Sequence, residues 1–293
     1  MNSVLELFGV FTASDRKNWT RVVQERRCPF LERLCLKNRK SQPDVLIGTC
    51  TVSYGTSSNP LIICPHRLLE RRQIFTDCLP LLTLHEPGNE YHVVPEMAVP
   101  GGSVDYALAS VRKGKVKDFL GIELQALDTT GTVWPSRQRF LHSVSVKVAA
   151  RDRKSKRSFG INWKMTAKTT LLQLHHKVET FEMLGRHLVL VLQQPLLEYI
   201  RRNFAARHVT GCRIGDSMHF HAYDLAHAGD AMRLEMTDKL STDAAGVGRL
   251  LGMQVSAKVE LSEIVSLLES KISRDTLLAF GPVSDVTPVT GPS

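Results

Sequence analysis

Three side chains with the chemistry of a metal site lie in two neighbouring stretches of the sequence. Asp105 is in GGSVDYALAS, and Glu123 and Gln125 are in GIELQALDTTG. Two carboxylates brought close together are unfavourable unless a cation or a proton neutralises them. Magnesium meets that need, because it takes oxygen ligands and is usually held by one or two carboxylates, water and a substrate phosphate. The residue types therefore predict a Mg²⁺ site, provided that the fold brings the two stretches together.

The pattern around these residues predicts a β-hairpin that does so. Ser103–Ser110 and Phe119–Leu127 alternate apolar and polar side chains, and the basic, glycine-containing segment Arg112–Lys115 lies between them. Side chains on a strand repeat every second residue, so the carboxylate and the amide of the second strand project to one face, which Asp105 can share. The other interpretation is a half-exposed sheet on which both carboxylates pair with the lysines of the turn.

The order of the remaining elements predicts an α/β protein. Met165–Leu184 carries apolar residues at helical spacing, and the run Leu188–Leu192 is typical of a strand buried on both faces. A second hairpin is expected around Gly229–Asp230, and a short strand at 144–149. The stretch 90–99 fits either a helix or a strand. Together these elements predict a mixed sheet with helices on both sides.

The first 79 residues differ from the rest, because their apolar stretches are short and separated by loop-forming sequence. They hold four of the six cysteines, Cys28, Cys35, Cys50 and Cys64. The spacing of these cysteines lacks the paired CxxC of zinc fingers. Two interpretations are therefore open: the cysteines are small buried side chains, or they are the ligands of a structural metal site. Thiolate ligands suit zinc or iron. We expect residues 1–79 to form a loop-rich Cys₄ metal-binding subdomain and residues 80–293 to form the larger domain.

The net charge of +9 favours polyanionic partners, nucleic acid first and an anionic membrane second. Basic residues concentrate in RDRKSKRSFGINWKMTAK, which begins at Arg151. This segment is either a solvated loop or a surface that contacts DNA phosphates. The predicted DNA-binding residues are Arg151, Arg153, Lys154, Lys156, Arg157, Lys164 and Lys168.

Two further patterns bear on location. The sequence contains no run of about 18 apolar residues, so it predicts no transmembrane helix. The N-terminal sequence MNSVLELFGV lacks the basic region and the long apolar core of a signal peptide. We therefore expect a cytoplasmic protein with no membrane partner.

Six motifs, taken in their order along the chain, resemble a known family. They are CPFLERLCLK, GTCTVSYG, IICPHRLLERRQIF, PGGSVDY, IELQALDTTGT and INWKMTAKT with the following LLQLHHK. From about Cys28 to Tyr199 the chain resembles the NotI/EagI-type restriction endonucleases of the PD-(D/E)xK nuclease superfamily. The resemblance implies a PD-(D/E)xK nuclease-like mixed sheet flanked by helices, preceded by the Cys₄ subdomain.

The resemblance also implies a role for each site residue. Asp105 and Glu123 would ligate the catalytic Mg²⁺. Glu90 is the expected upstream acid, with Glu96 as its competitor. Gln125 stands where most of the superfamily has lysine, and a neutral amide can neither act as a general base nor supply positive charge. We therefore expect Gln125 to orient the attacking water or to bind the metal through its carbonyl oxygen.

The implied protein is a homodimeric type II restriction endonuclease. It would cleave double-stranded DNA at a GC-rich palindrome and leave 5′-phosphates. The resemblance also implies that the Cys₄ site holds a single structural iron, whereas the ligand type alone does not distinguish iron from zinc. Two other classes remain. One is a non-catalytic DNA-binding protein with a Cys₄ module, and the other is a repair or defence nuclease that recognises DNA structure.

Overall fold

The computed structural model of the chain describes residues 3–14, 18–39, 41–55, 59–252 and 261–278. Within these residues the architecture is mixed α/β, with a large mixed sheet flanked by helices. None of the helices in these ranges is long and apolar enough to cross a membrane.

The N-terminal part consists of short strands and one helix. In chain order they are β1 (Val4–Leu7), β2 (Val10–Phe11), α1 (Trp19–Glu25), β3 (Arg27–Cys28), β4 (Arg33–Leu34), β5 (Asn38–Arg39), β6 (Gln42–Leu46), β7 (Thr49–Tyr54) and β8 (Asn59–Ile62). Four of these strands form a sheet in the order β2-β1-β7-β8. The pairs β3–β4 and β5–β6 are separate small ribbons. The cysteines therefore lie on or beside short strands.

A 3₁₀ segment (Pro65–Arg72), helix α2 (Gln73–Cys78) and a 3₁₀ turn (Leu79–Leu81) lead into the larger part of the chain. Its elements are β9 (Glu90–Val99), β10 (Gly102–Arg112), β11 (Lys115–Gln125), β12 (Thr129–Gly131), α3 (Trp134–Ser143), α4 (Ala150–Lys154), β13 (Phe159–Ile161), α5 (Trp163–Met183), β14 (His187–Gln193), α6 (Gln194–Asn203), β15 (Thr210–Gly211), β16 (Met218–Ala228), β17 (Ala231–Thr242), α7 (Ala244–Leu251) and α8 (Leu261–Lys271). A final 3₁₀ turn spans Arg274–Thr276.

As far as the chain is described, the large sheet has seven strands in the order β15-β17-β16-β14-β11-β10-β9. The strands β9, β10 and β11 form an antiparallel meander, and β11, β14 and β16 are parallel to one another. Both predicted hairpins are confirmed, with turns at Lys113–Gly114 and Gly229–Asp230. The first turn has φ values of 52° and 74°, which suit a two-residue hairpin turn.

Helix α5 packs on the sheet because one of its faces is apolar. Leu171, Leu174, Val178 and Phe181 are each at most 1% exposed. Gly121 on β11 permits the close approach, since a Cβ atom there would lie 2.5 Å from Phe181 Cζ. The helix therefore lies directly over the face of β11 to which Gly121 belongs.

The structure differs from one expectation and decides another. Residues 144–149 are not a strand but the turn and coil between α3 and α4. Their alternating valines, Val144, Val146 and Val148, pack partly buried against the core, which accounts for the period-two pattern. The ambiguous stretch 90–99 is strand β9.

The N-terminal sheet is joined to the large sheet. Gln193, at the end of β14, accepts a hydrogen bond from the backbone N–H of Ile62 (2.8 Å) and donates one to the carbonyl of Pro60 (2.7 Å). Val4 and Val52 of the small sheet belong to the same hydrophobic core as residues of the large sheet. The segment before residue 80 therefore shares a core with the rest of the chain.

Candidate active site

Asp105 and Glu123 lie at facing positions on β10 and β11. The last paired residues are Tyr106 and Ile122, and the two acids come next on each strand. Asp105 Oδ2 accepts a hydrogen bond from the backbone N–H of Leu124 at 2.7 Å. The hairpin thus brings together the two carboxylates that the sequence marks as metal ligands.

Burial determines the ionisation of Glu123. Loss of hydration raises the pKa of this carboxyl to about 7, and the negative charge of Asp105 adds to the rise. The ammonium of Lys177 acts in the opposite direction but is outweighed. A carboxylate in this state gains from a cation, because a cation stabilises the charged form that burial disfavours.

The upstream acid beside the site is Glu96 rather than Glu90. Glu96 faces Asp105 across the β9–β10 pair and has a φ of 50°, so the strand is locally distorted there. Glu90 pairs with Val111 at the opposite end of β10, and its carboxylate lies 3.5 Å from the His92 ring. Six residues of extended chain separate the two acids by about 20 Å, so Glu90 cannot reach the site.

A cleft of about 150 Å³ opens beside Glu96 and Asp105. Arg33 and His66 from the N-terminal part also line it, whereas Glu123 does not. Burial lowers the pKa of His66, and the nearby positive charge of Arg33 lowers it further. Sequence reasoning missed Arg33 and His66, because nothing in their spacing links them to the strand that carries Asp105.

Gln125 is held by helix α5. Its side-chain carbonyl accepts a hydrogen bond from Thr170 Oγ1 at 2.7 Å, and its amide nitrogen donates to the backbone carbonyl of Ala126 at 2.6 Å. Both ends of the side chain are thus engaged by the protein. The expected role of Gln125, in orienting the attacking water or in binding the metal through its carbonyl oxygen, stays a prediction.

Lys177 is a site residue that sequence reasoning did not find. Its ammonium Nζ lies 2.5 Å from Glu123 Oε1, and the two side chains are only 9% and 15% exposed. A signal was present in the sequence, since Lys177 stands on the apolar face of α5 between Leu174 and Phe181. A charged residue at a buried helical position needs a partner, and here the partner is a candidate metal ligand.

The basic segment lies at the start of the same helix. It runs through α4 and strand β13 and ends on the first two turns of α5. Arg153 is half-buried, and the other six predicted DNA-binding side chains are exposed. Lys164 and Lys168 therefore present positive charge on the helix that also carries Lys177.

The four N-terminal cysteines are free thiols. Cys28, Cys50 and Cys64 are buried, and Cys35 is half-buried. A hydrogen bond with Cys50 lowers the pKa of Cys64 to about 6, and the same interaction raises the pKa of Cys50. Backbone N–H groups two and three residues further along the chain donate to the sulfurs of Cys28 and Cys64. Such amides stabilise thiolate charge.

Two cations stand beside these sulfurs. Lys37 donates from Nζ to the carbonyl of Ile63 at 2.6 Å and helps to lower the pKa of Cys64. Arg137 is 4% exposed and close to Cys35, and burial lowers the pKa of its guanidinium to about 10. Among the described residues, no group of three or more His, Cys, Asp or Glu side chains is arranged so that it could hold a metal ion. The four cysteines stay the predicted ligands, and Lys37 and Arg137 place positive charge near them.

No protein-family model matches the chain, and no curated protein is significantly similar to it. The likeness to the restriction endonucleases therefore depends on the ordered motifs.

Proposed function

We propose that this protein is a Mg²⁺-dependent type II restriction endonuclease of the NotI/EagI type in the PD-(D/E)xK superfamily. The observation that carries the proposal is the facing placement of Asp105 and Glu123 on adjacent antiparallel strands, with Asp105 lining an open cleft. A meander of three strands, a helix packed on its last strand and a parallel strand beside it form a rigid frame for these two residues.

The chemistry of the two facing carboxylates suits magnesium. Asp105 uses Oδ2 for the Leu124 amide, and Glu123 uses Oε1 for Lys177, which leaves Oδ1 and Oε2 as the oxygens suited to a metal. Two carboxylates completed by water and a substrate phosphate are a usual Mg²⁺ environment. When bound, Mg²⁺ lowers the pKa of water and stabilises negative charge on a phosphate.

The protein's own groups bind and position the DNA. The exposed basic segment from Arg151 to Lys168 contacts backbone phosphates, so binding weakens steeply as salt is added. Arg33 stands at the cleft and is placed to pair with the phosphate that is cut. In hydrolysis the oxygen of a water molecule bonds to phosphorus as the bond to the 3′-oxygen breaks, which leaves a 3′-hydroxyl and a 5′-phosphate.

The Cys₄ module is the second part of the proposal. Buried thiols, backbone N–H groups on two sulfurs and the cations Lys37 and Arg137 suit an anionic tetrathiolate centre. Thiolates accept iron or zinc, and the family resemblance favours iron. The metal would hold the segments that carry Arg33 and His66 against the cleft, which is a structural role.

A GC-rich palindromic target completes the proposal, and it implies a homodimer. A cytoplasmic location is a separate part of the proposal. A palindrome read by two identical surfaces matches the two-fold symmetry of a dimer.

The test is digestion of a plasmid of known sequence with Mg²⁺. We expect discrete fragments with 5′-phosphates, no cutting in EDTA, and no cutting by Asp105→Asn or Glu123→Gln proteins that still bind DNA. Glu96→Gln should cut more slowly, while Glu90→Gln is the matched control that should cut normally. Cutting by either of the first two variants at the wild-type rate would overturn the site. Cuts that follow DNA structure favour the repair or defence nuclease, and binding without cutting favours the DNA-binding module.

A further inference from the structure

Lys177 is an unusual residue for its place in the fold. It lies on the buried face of α5, is 7% exposed as a whole residue, and reaches Glu123 Oε1 at 2.5 Å. Burying an ion pair is often no more stabilising than packing apolar side chains of similar volume in the same space. Packing of α5 on the sheet therefore does not by itself require a lysine at this position.

The approach of Lys177 to the strand depends on the turn between β9 and β10. A Cβ atom on Gly102 would lie 3.3 Å from Lys177 Cε, and Thr180 Oγ1 donates to the Pro100 carbonyl at 3.2 Å. The turn and the helix thus hold the lysine stem in place beside Glu123. A charge that is fixed before the substrate arrives requires little reorganisation during the reaction.

The charges of the site show what the lysine contributes. Glu96 and Asp105 face each other beside the cleft, and Glu123 faces Asp105 from the other strand. One divalent cation neutralises two of the three carboxylates when all three carry a charge, and the third would oppose the negative charge that develops on the phosphate during cleavage. The ammonium of Lys177 cancels that third charge.

We propose that Lys177 is the fixed cation of the catalytic site, supplied from helix α5 because the neutral Gln125 cannot provide it from the strand. In this role Lys177 is a positioning residue that orients Glu123 through Oε1 and removes the excess negative charge. The inference rests on the proposed endonuclease function.

The experiment compares single-turnover cleavage and DNA binding for four variants. Lys177→Met keeps the length of the side chain without the charge, and Lys177→Arg keeps the charge. The double variant Gln125→Lys with Lys177→Met moves the charge to the strand. Lys115→Met is the matched control, because Lys115 is exposed and pairs with Glu269 at the other end of the hairpin.

We expect Lys177→Met to cleave about 100-fold more slowly than the wild type while binding DNA with an affinity within about two-fold. Lys177→Arg should retain part of the activity, and the double variant should recover about ten-fold relative to Lys177→Met. Lys115→Met should cleave at the wild-type rate.

Two results would overturn the inference. One is wild-type cleavage by Lys177→Met. The other is equal loss of cleavage in Lys177→Met, Lys177→Arg and the double variant, together with a lowered urea midpoint, which would identify a purely structural ion pair. A wild-type protein that binds DNA and never cuts it would instead refute the endonuclease function itself, so the two failures are distinguishable.

Discussion

Replacing Arg67 by methionine should destabilise the protein strongly, because this one guanidinium joins three parts of the chain. Arg67 is 1% exposed and donates to Glu6 Oε2 at 2.7 Å, to Glu70 Oε2 at 3.0 Å and to the carbonyl of Met232 at 2.9 Å. These partners lie on β1, on the 3₁₀ segment and on β17. The substitution therefore tests whether the N-terminal sheet and the large sheet unfold together.

The magnitude follows from what the substitution leaves behind. In the variant Glu6 would keep its hydrogen bond from Thr51 but lose the guanidinium that neutralises it. Because Glu6 is only 2% exposed, water cannot take the place of that positive charge. Glu70 retains Arg233 at 3.0 Å and is less affected. Removing one member of a buried ion pair costs about 3–5 kcal/mol, and we expect a loss of about 4 kcal/mol in the free energy of unfolding. Adding Glu6→Gln should recover about 2 kcal/mol, because the unpaired charge is then gone.

The assay is urea unfolding at pH 7, followed by circular dichroism and by tryptophan fluorescence. Arg21→Met is the control, since Arg21 pairs with Glu25 on the exposed surface of α1 and should leave the midpoint unchanged. A loss below about 1 kcal/mol for Arg67→Met, or no recovery in the double variant, would refute the reasoning about this buried charge.

Three further predictions follow from buried groups and one close contact. Burial lowers the pKa of His219 to about 4 and that of His221 to about 3. Folding keeps both rings neutral, so their full contribution to the free energy of unfolding is present above pH 6.5, the ordinary pKa of histidine. That contribution is lost as the pH falls from 6.5 through the folded-state pKa values. By pH 4 each histidine should cost on the order of 3 kcal/mol, and urea unfolding of His221→Gln should show a weaker pH dependence. Glu123, whose pKa is about 7, must lose a proton to bind a metal. The Mg²⁺ concentration for half-maximal cleavage should therefore rise about ten-fold per pH unit below 7, and a pH-independent value would contradict this. Gly101→Ala should cost about 2 kcal/mol in urea unfolding, because φ is +89° and the new Cβ would lie 2.6 Å from the carbonyl oxygen of His176. An unchanged midpoint would show that the turn can move away from α5.

Local patterns in the sequence were sufficient for the strands and the helix that build the site. Alternation with a period of two predicts the β10–β11 hairpin. The two-residue turn at Lys113–Gly114 alone would pair Asp105 with Ile122, and a one-residue register shift between Ser110 and Val111 moves Asp105 opposite Glu123. Apolar residues at helical spacing predict α5, and a continuous apolar run predicts β14. These features depend on residues that are close in the chain, so their signal is present in the sequence. The same rule fails at 144–149, where alternating valines pack on the core without forming a strand.

Only the tertiary structure decides which other side chains reach Asp105 and Glu123. Glu96 and Glu90 are equivalent as residue types, and the register of β9 against β10 places Glu96 at the site. Lys177 arrives because α5 packs directly over β11, and Arg33 because the N-terminal part packs beside the cleft. Such contacts join residues that are far apart in the chain, and their geometry depends on how whole elements pack, which no local period encodes.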